Sequence, residues 1–274
     1  MKTILLPSLD WDIKVQPLKT ITGISANRKA IMRTDNGSVL GVMSNRYRPL
    51  SNSRLIKLCT LIERTGNFRI EGYSTFRNGK VVMAFMRNYD PKLNINGYNL
   101  SEYLLLGNSH DGSKRIFIGS SQNLVRCENQ FTSTSPVFQK KHLGDVEINS
   151  SFAEAIKSEY EKERLSIYAK MKHLREKSIN EEIIGRLVRY LIRSDRTISH
   201  ERFNSEFKPI KPIDLITQSI RREIADLGNN AFGLFNGVTW YTSHELPRNQ
   251  NNFGNVNGAA SYLNERALEF CMEL

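Results

Sequence analysis

The chain has 274 residues, with 39 Lys and Arg against 28 Asp and Glu, a formal net charge of +11, and a hydrophobic share of 39%. This length allows one large domain or two small ones, and the composition is that of a globular protein rather than a disordered or fibrous one. No apolar run is long enough for a membrane helix or a secretion signal, and the three Cys residues are too scattered for a CxxC pair or a disulfide framework. We therefore expect a basic, cytoplasmic protein without metal, cofactor or membrane contact, and its charge favours a polyanion as partner.

The excess positive charge lies in the first half of the chain. Residues 1–150 hold 21 basic and 11 acidic side chains, whereas residues 151–274 hold 18 and 17. The stretch 28–87 alone has 12 basic and 3 acidic residues. Charges of one sign on a surface repel each other, so such a surface usually has a partner of opposite charge. This charge distribution favours a nucleic-acid partner over the alternative of a basic face that serves solubility only.

The first 45 residues predict short extended segments, interrupted by turn-forming residues: Pro7, Pro17, Gly23 and Asp35-Asn36-Gly37. A strand is predicted from Val39, followed by a loop over residues 46–52. Either Ser51 or Ser53 can cap a helix that ends at Arg64, because apolar residues there recur at helical spacing: Leu55, Leu58 and Ile62.

The clearest local pattern is a β-hairpin over residues 68–87, closed by Asn78-Gly79, the preferred pair for a type I′ turn. This turn predicts Phe76 opposite Val81 and Tyr73 opposite Ala84. Strict alternation then predicts a core face made of Phe68, Ile70, Phe76, Val81, Met83 and Phe85. The other face is predicted to be cationic with a central aromatic ring, and consists of Arg69, Tyr73, Thr75, Arg77 and Lys80.

Further strands are predicted at residues 102–106, 115–118 and 123–126, with a polar turn at 107–113 and a basic loop at 140–144. From about Ser150 the apolar residues recur at helical spacing, with a strong apolar stripe at 183–192. A helix is predicted to start at Pro212 and to end at Gly228. A helix at 236–244, a loop at 249–258 and a last helix at 259–273 follow. The predicted fold class is α+β. An antiparallel, strand-rich, basic region, residues 1–148, is expected to pack on a helical region, residues 149–274, in one compact unit.

Catalytic and metal sites have little support in the sequence. His110 with Asp111, together with His142, could be imagined as metal ligands, and Cys127 as a nucleophile beside one of these His residues. No HxxxH motif, Cys pair, phosphate-binding loop or carboxylate cluster accompanies them. Asp111 next to glycine is more typical of an Asx turn, and a lone Cys in an apolar strand is more typical of a core position.

Basic residues alternate with aromatic ones in several stretches, a pattern typical of single-stranded nucleic-acid binding because cations neutralise phosphates while flat rings stack on bases. A solvated strand face covered by aromatic rings is the alternative. The predicted binding residues are Arg46, Tyr47, Arg48, Arg69, Tyr73, Arg77, Lys80, Lys114, Arg115, Lys140 and Lys141.

Residues 108–113, Asn-Ser-His-Asp-Gly-Ser, resemble the signature of a prokaryotic family catalogued as domain of unknown function 932, found on phages, prophages and plasmids. The stretches 47–52, 125–129, 141–146 and 232–244 are similar to further family motifs in the same order, although Cys127 follows Arg126 directly and Gly107 departs from the family's pattern. The resemblance implies a mobile-element protein, brings no established catalytic residue, and carries a weaker, fold-level analogy to phage single-strand annealing proteins of the Erf and Red-beta type. We expect the signature residues to shape a loop beside the binding surface: Asn108, Ser109, His110, Asp111, Gly112 and Ser113.

We therefore expect a non-enzymatic protein of a phage or mobile element that binds single-stranded DNA, or alternatively RNA, in recombination, replication or transcription. Annealing activity would add homo-oligomerisation. One alternative is an enzyme acting on nucleic acid with His110 and Asp111 as catalytic residues. Another is an interaction factor that modulates a phage or host replication or transcription machine.

Overall fold

A computed structural model describes residues 9–90, 94–95, 98–124, 130–132, 137–194, 212–246 and 259–274, and confirms the α+β fold class. The strands are β1 (Ile13–Lys19), β2 (Ser25–Arg33), β3 (Val39–Ser44), β4 (Phe68–Phe76), β5 (Val81–Asn88), β6 (Asn94–Ile95), β7 (Tyr98–Ser109), β8 (Ile116–Leu124), β9 (Gln130–Thr132) and β10 (Phe138–Lys140). The helices are α1 (Asn52–Arg64), α2 (Ser150–Glu176), α3 (Glu181–Ser194), α4 (Pro212–Leu227), α5 (Ala231–Trp240), which continues into a π-helical turn (Tyr241–Glu245), and α6 (Ala259–Met272). Cys127 and the loop predicted at 249–258 lie outside the described residues.

The chain divides into two compact units. The first comprises residues 1–91, 102–120 and 135–163, and the second comprises residues 92–101, 121–134 and 164–274. Among the helices of the described residues, none is both long and apolar enough to cross a membrane.

Two antiparallel sheets organise the strands. One has the order β1-β2-β3, and the other has the order β10-β8-β7-β5-β4, with β6 added to β7 and β9 added to β8. The strand predicted at 102–106 extends from Tyr98 to Ser109, so Gly107, Asn108 and Ser109 belong to β7 rather than to a turn. The two strands predicted at 115–118 and 123–126 are the single strand β8 as far as Leu124, and residues 125–126 lie outside the described part.

Helix α1 covers one face of the larger sheet in the first unit. Of the two predicted caps, Ser51 and Ser53, the structure uses Ser51, whose Oγ accepts a hydrogen bond from Arg54 N at 3.3 Å. The apolar side of α1 and the start of α2 share a core with alternate residues of β5 and β7: Leu55, Leu58, Ile62, Val82, Ala84, Met86, Leu104, Leu106, Ile156 and Tyr160. Full burial of each such side chain contributes about 1.5–3 kcal/mol, so this cluster is the main stabilising contribution of the unit.

The β4–β5 hairpin has the predicted register at its turn, since Phe76 pairs with Val81 and Tyr73 pairs with Ala84. The predicted faces are wrong further along, because a β-bulge between Ile70 and Gly72 shifts the alternation by one residue. Phe68 and Ile70 therefore join Tyr73 on the face towards α1, and Phe76, Val81, Met83 and Phe85 lie on the opposite face together with Arg69.

The second unit is built on helices α3 to α6 and the end of α2, as the helical periodicity predicted. Its core contains the stripe of α3 together with apolar residues of α4, α5 and α6: Leu187, Leu191, Ile216, Ile220, Phe232, Phe235 and Leu263. Gly228, with φ +99°, ends α4 as predicted, and Asn230 begins α5 by accepting a hydrogen bond from Gly233 N at 3.0 Å. The helix predicted to start at residue 236 thus begins five residues earlier, at Ala231.

Candidate functional site

The first half of the signature is buried at the end of β7. Asn108, Ser109 and His110 each have 0% of their surface exposed. The ladder between β5 and β7 continues past Ser109, because His110 N donates to Lys80 O at 2.7 Å. Alternation along this extended backbone puts the Asn108 and His110 side chains on the same face as Leu104 and Leu106, which is the face towards α1.

These residues hold the loop that precedes α1, which lies about sixty positions earlier in the chain. Asn108 Nδ2 donates to Leu50 O at 2.7 Å, and Tyr47 Oη donates to Ser109 O at 2.7 Å. Both bonds are buried, where the loss of one partner leaves the other polar group unsatisfied at a cost of about 1–3 kcal/mol. The signature therefore fixes the backbone of residues 47–50.

His110 is oriented by Asn52, the first residue of α1. Asn52 Nδ2 donates to Trp11 O at 3.0 Å, so its Oδ1 faces His110 Nε2 and accepts a hydrogen bond from that nitrogen at 3.0 Å. The ring of Trp11 packs edge-on against His110, with centroids 5.8 Å apart. Burial lowers the pKa of His110 to about 4, against the opposing charges of Asp12 and Asp111, so the imidazole is neutral at pH 7.

Asp12 lies beside this cluster and stabilises the start of α1. Its carboxylate accepts hydrogen bonds from Ile13 N at 2.8 Å, Asn52 N at 2.9 Å and Ser53 N at 3.3 Å. Burial raises the pKa of Asp12, but these bonds and one from the Ser53 hydroxyl outweigh that effect and lower it. A carboxylate at a helix N-terminus is favourable for the free N–H groups and for the helix dipole.

The second half of the signature is a tight turn. Asp111 Oδ1 accepts a hydrogen bond from Ser113 N at 3.0 Å, which confirms the predicted Asx turn. Ser109 Oγ closes the turn by donating to Lys114 O at 2.8 Å and accepting from Lys114 N at 3.1 Å. Gly112 has φ +70°, a backbone conformation that strains other residues, so the turn favours glycine at this position.

His142 connects the same loop to the basic segment at residues 140–144. Arg48 N donates to His142 O at 2.7 Å, and His142 Nδ1 donates to Arg48 O at 3.2 Å. The His142 ring stacks on the Tyr47 ring with centroids 4.7 Å apart. Burial lowers the pKa of His142, while hydrogen bonds with the backbone of Arg48 and of Lys114 raise it in part. Because both segments bond to the same ring, His142 lies between them.

Two cations converge on one carbonyl oxygen beside this loop. Arg48 Nη1 donates to Asn45 O at 2.8 Å, and Lys29 Nζ donates to the same oxygen at 3.3 Å. Lys29 has 8% of its surface exposed, and desolvation together with the charge of Arg48 lowers its pKa. Within the described residues no carboxylate forms an ion pair with either cation. Lys29 is not among the binding residues predicted from the sequence, and it shares a face of β2 with the fully buried Ile31.

The other predicted binding residues are dispersed. Tyr47 is buried, and Tyr73 is half-buried against α1, where desolvation raises its pKa to about 12. The Tyr47 ring is therefore not exposed for base stacking, whereas the Tyr73 ring is partly exposed and its role in binding stays a prediction. Arg69 is exposed at the end of the hairpin opposite its turn, and it donates to Gly66 O and Phe68 O at 3.1 and 2.7 Å.

The remaining predicted cations all lie in the first unit. Arg46, Arg77 and Lys141 are exposed, and the half-buried Lys80 and Lys114 contact the signature through their backbones. Arg115 is exposed and donates to Gln139 Oε1 at 2.7 Å, while Lys140 donates to Asp145 O at 2.6 Å. Loop 45–48 thus carries the exposed Arg46 and Arg48, and Arg77 and Lys80 lie in the turn of the β4–β5 hairpin.

Two buried acceptor atoms in the signature have no hydrogen-bond partner among the described residues. These are Asn108 Oδ1 and His110 Nδ1. In each side chain the donor nitrogen is already used, by Leu50 O and by Asn52 Oδ1 respectively, so both free atoms are acceptors. Over the described part of the chain, no group of three or more His, Cys, Asp or Glu side chains could hold a metal ion.

Comparison with known proteins identifies a family. No curated protein matches the chain, and no solved structure matches it. The family described as Domain of unknown function (DUF932) matches residues 39–263, a range that includes loop 45–52, the signature and most of the helical unit. The chain belongs to this family.

Proposed function

We propose that the protein binds nucleic acid through its phosphate backbone, with single-stranded DNA of a phage or other mobile element as the ligand. The observation that carries the proposal is the convergence of Lys29 and Arg48 on Asn45 O, where no carboxylate of the described residues pairs with either cation. Their nitrogens are at most about 6 Å apart, where like charges repel in any medium. A phosphate between them would replace this repulsion with two charge-assisted hydrogen bonds.

The surrounding charges extend this anion site. Arg46 and Lys141 are exposed on the two segments that meet at the Arg48–His142 pairing. A line of several cations on neighbouring loops suits a polymer of phosphates better than a single small anion.

The buried signature supports this proposal as a scaffold. Asn108 holds the Leu50 carbonyl, Ser109 holds the Tyr47 hydroxyl, and His142 holds the Arg48 carbonyl. A loop held at three points is already ordered before the ligand binds. Binding therefore costs less conformational entropy, and less affinity is lost. In recombination or replication, such a surface would coat or anneal exposed single strands, with homo-oligomerisation as the means of covering a long strand.

The test is a salt titration of binding to a fluorescently labelled single-stranded DNA, with a duplex of the same length alongside. The double variant Lys29→Gln, Arg48→Gln is compared with the matched variant Lys172→Gln, Arg189→Gln, which removes two exposed charges from α2 and α3. We expect the first variant to lower the slope of log K against log salt by about 1.4, since each phosphate contact on a single strand contributes about 0.7.

The control variant should keep the wild-type slope and affinity. Equal losses in both variants would mean that only net charge matters, and the anion site would be wrong. Wild-type binding that is weak and independent of salt for both DNA forms would contradict nucleic-acid binding altogether.

A further inference from the structure

The β1–β2 hairpin projects into solvent beyond the anion site. Lys29 of β2 pairs with Pro17 of β1, and past this pair every residue from 19 to 28 is exposed. We call residues 19–28 the arm. An isolated two-stranded hairpin is only marginally stable, and the arm buries no apolar side chains against the rest of the chain. A contribution to the stability of the fold therefore does not explain why the arm projects.

The tip of the arm is a closed turn rather than a loose loop. Thr20 N donates to Ile24 O at 2.8 Å, Gly23 N donates to Thr20 O at 2.9 Å, and Gly23 has φ +85°. Thr20 Oγ1 additionally accepts from Ile24 N at 3.2 Å. These bonds hold Ile21 at the apex with its whole side chain in water.

The arm presents isolated aliphatic side chains within a purely cationic segment. Ile21 has a relative exposure of 107% and Ile24 one of 67%. Between Ile13 and Arg33 the charged residues are all basic, and Asp and Glu are absent. Two copies of such an arm repel each other, whereas a polyanion attracts it, so charge complementarity favours a nucleic acid over a second copy of the chain.

We propose that the arm is a wedge for nucleic acid, in which Lys19 and Arg28 contact phosphates while Ile21 inserts between neighbouring bases. Aliphatic wedges separate stacked bases in proteins that deform nucleic acid, and their apolar surface leaves water when they insert. Ile24 lies about 16 Å along the hairpin from Lys29, because five residue steps of about 3.3 Å separate them, and Ile21 lies beyond Ile24 at the apex. The wedge rests on the proposed function, since it would engage the same strand a few nucleotides from the anion site.

The experiment uses single-stranded DNA that carries one 2-aminopurine between adenines, whose fluorescence is quenched by stacking. Ile21→Ser is compared with Val39→Ser, which removes a 53% exposed aliphatic side chain outside the arm. Neither change uncovers buried surface, so both variants should fold. Wild-type protein and Val39→Ser should raise the fluorescence at saturation. Ile21→Ser should give less than half of that rise and bind about tenfold more weakly, with an unchanged salt slope.

The outcomes separate this inference from the proposed function. If Ile21→Ser gives the full fluorescence rise, the wedge is wrong, and binding through Lys29 and Arg48 is still supported by the salt slope. If Ile21→Ser changes only self-association in light scattering, the arm is a contact between copies and the inference is overturned. If wild-type protein does not bind the oligonucleotide at all, both proposals fail.

Discussion

His110 should make the stability of the first unit depend on pH. Its pKa falls from an ordinary value of 6.5 to about 4 in the folded chain, because burial disfavours the imidazolium. The unfolded chain therefore binds the proton more tightly. The contribution of neutral His110 is complete above pH 6.5 and is lost as the pH falls towards 4, by about 3 kcal/mol in the free energy of unfolding.

The matching variant is His110→Gln, which can still donate to Asn52 Oδ1 but does not titrate. Urea unfolding is followed by the fluorescence of Trp11, which packs on His110, in a Trp240→Phe background so that the helical unit is silent. Because acidic groups titrate in both proteins, the informative quantity is the difference between them. We expect that difference to shift by about 3 kcal/mol in favour of Gln between pH 7.5 and pH 4. A difference that stays constant over this range would refute the assignment of His110 as a buried neutral base.

Two further predictions concern packing and helix capping. Gly237→Ala should destabilise the helical unit by about 1–3 kcal/mol in urea unfolding, because its Cβ would collide with the backbone Cα of Ile220 on α4. Gly185→Ala is the control, because the nearest atom to its Cβ would be the end of the Arg189 side chain, 3.5 Å away. This variant should be neutral or stabilising by up to about 1 kcal/mol. Equal losses in the free energy of unfolding of both variants would contradict the packing argument. Asp12→Ala should destabilise the first unit by about 1–2 kcal/mol at pH 7, since two amides of α1 lose their acceptor, and an unchanged urea midpoint would show that water replaces the carboxylate.

The sequence predicted those elements whose determinants are local. The Ser51 cap and the 3–4 spacing of leucines specify α1, and Gly228 specifies the end of α4. Asn78 and Gly79 have φ +58° and +91°, as a positive-φ turn requires, and this set the register of the hairpin. Arg77 also has positive φ, which the Asn-Gly pattern does not reveal.

The errors come from interactions between distant segments. No residue type marks the bulge between Ile70 and Gly72, so alternation extrapolated from the turn put Phe68, Ile70 and Arg69 on the wrong faces. Asn108 and His110 were interpreted as turn residues because they are polar, whereas their donors are satisfied by Leu50 and Asn52, each 58 positions away. A polar residue is compatible with a buried strand when such a partner exists, and spacing along one chain cannot show that partner.

Burial separates the residues at the end of β7 from Lys29 of β2 in what they contribute to the protein. Asn108, Ser109 and His110 contact backbone and side chains of the same unit, so their substitution should reduce stability first and binding only through it. Lys29 is the opposite case, because its charge is desolvated and repelled by Arg48. A group that is unfavourable in the free protein is retained when a ligand needs it.

Lys29→Met tests this distinction directly. Methionine keeps the aliphatic stem packed in β2 and removes the repulsion, while Arg48 still donates to Asn45 O. The free energy of unfolding should therefore stay the same or rise in urea unfolding at pH 7, whereas the affinity for single-stranded DNA should fall. If Lys29→Met instead destabilises the fold and leaves binding unchanged, Lys29 is a structural residue that satisfies the Asn45 carbonyl. In that case the cationic convergence beside the signature would not be an anion site.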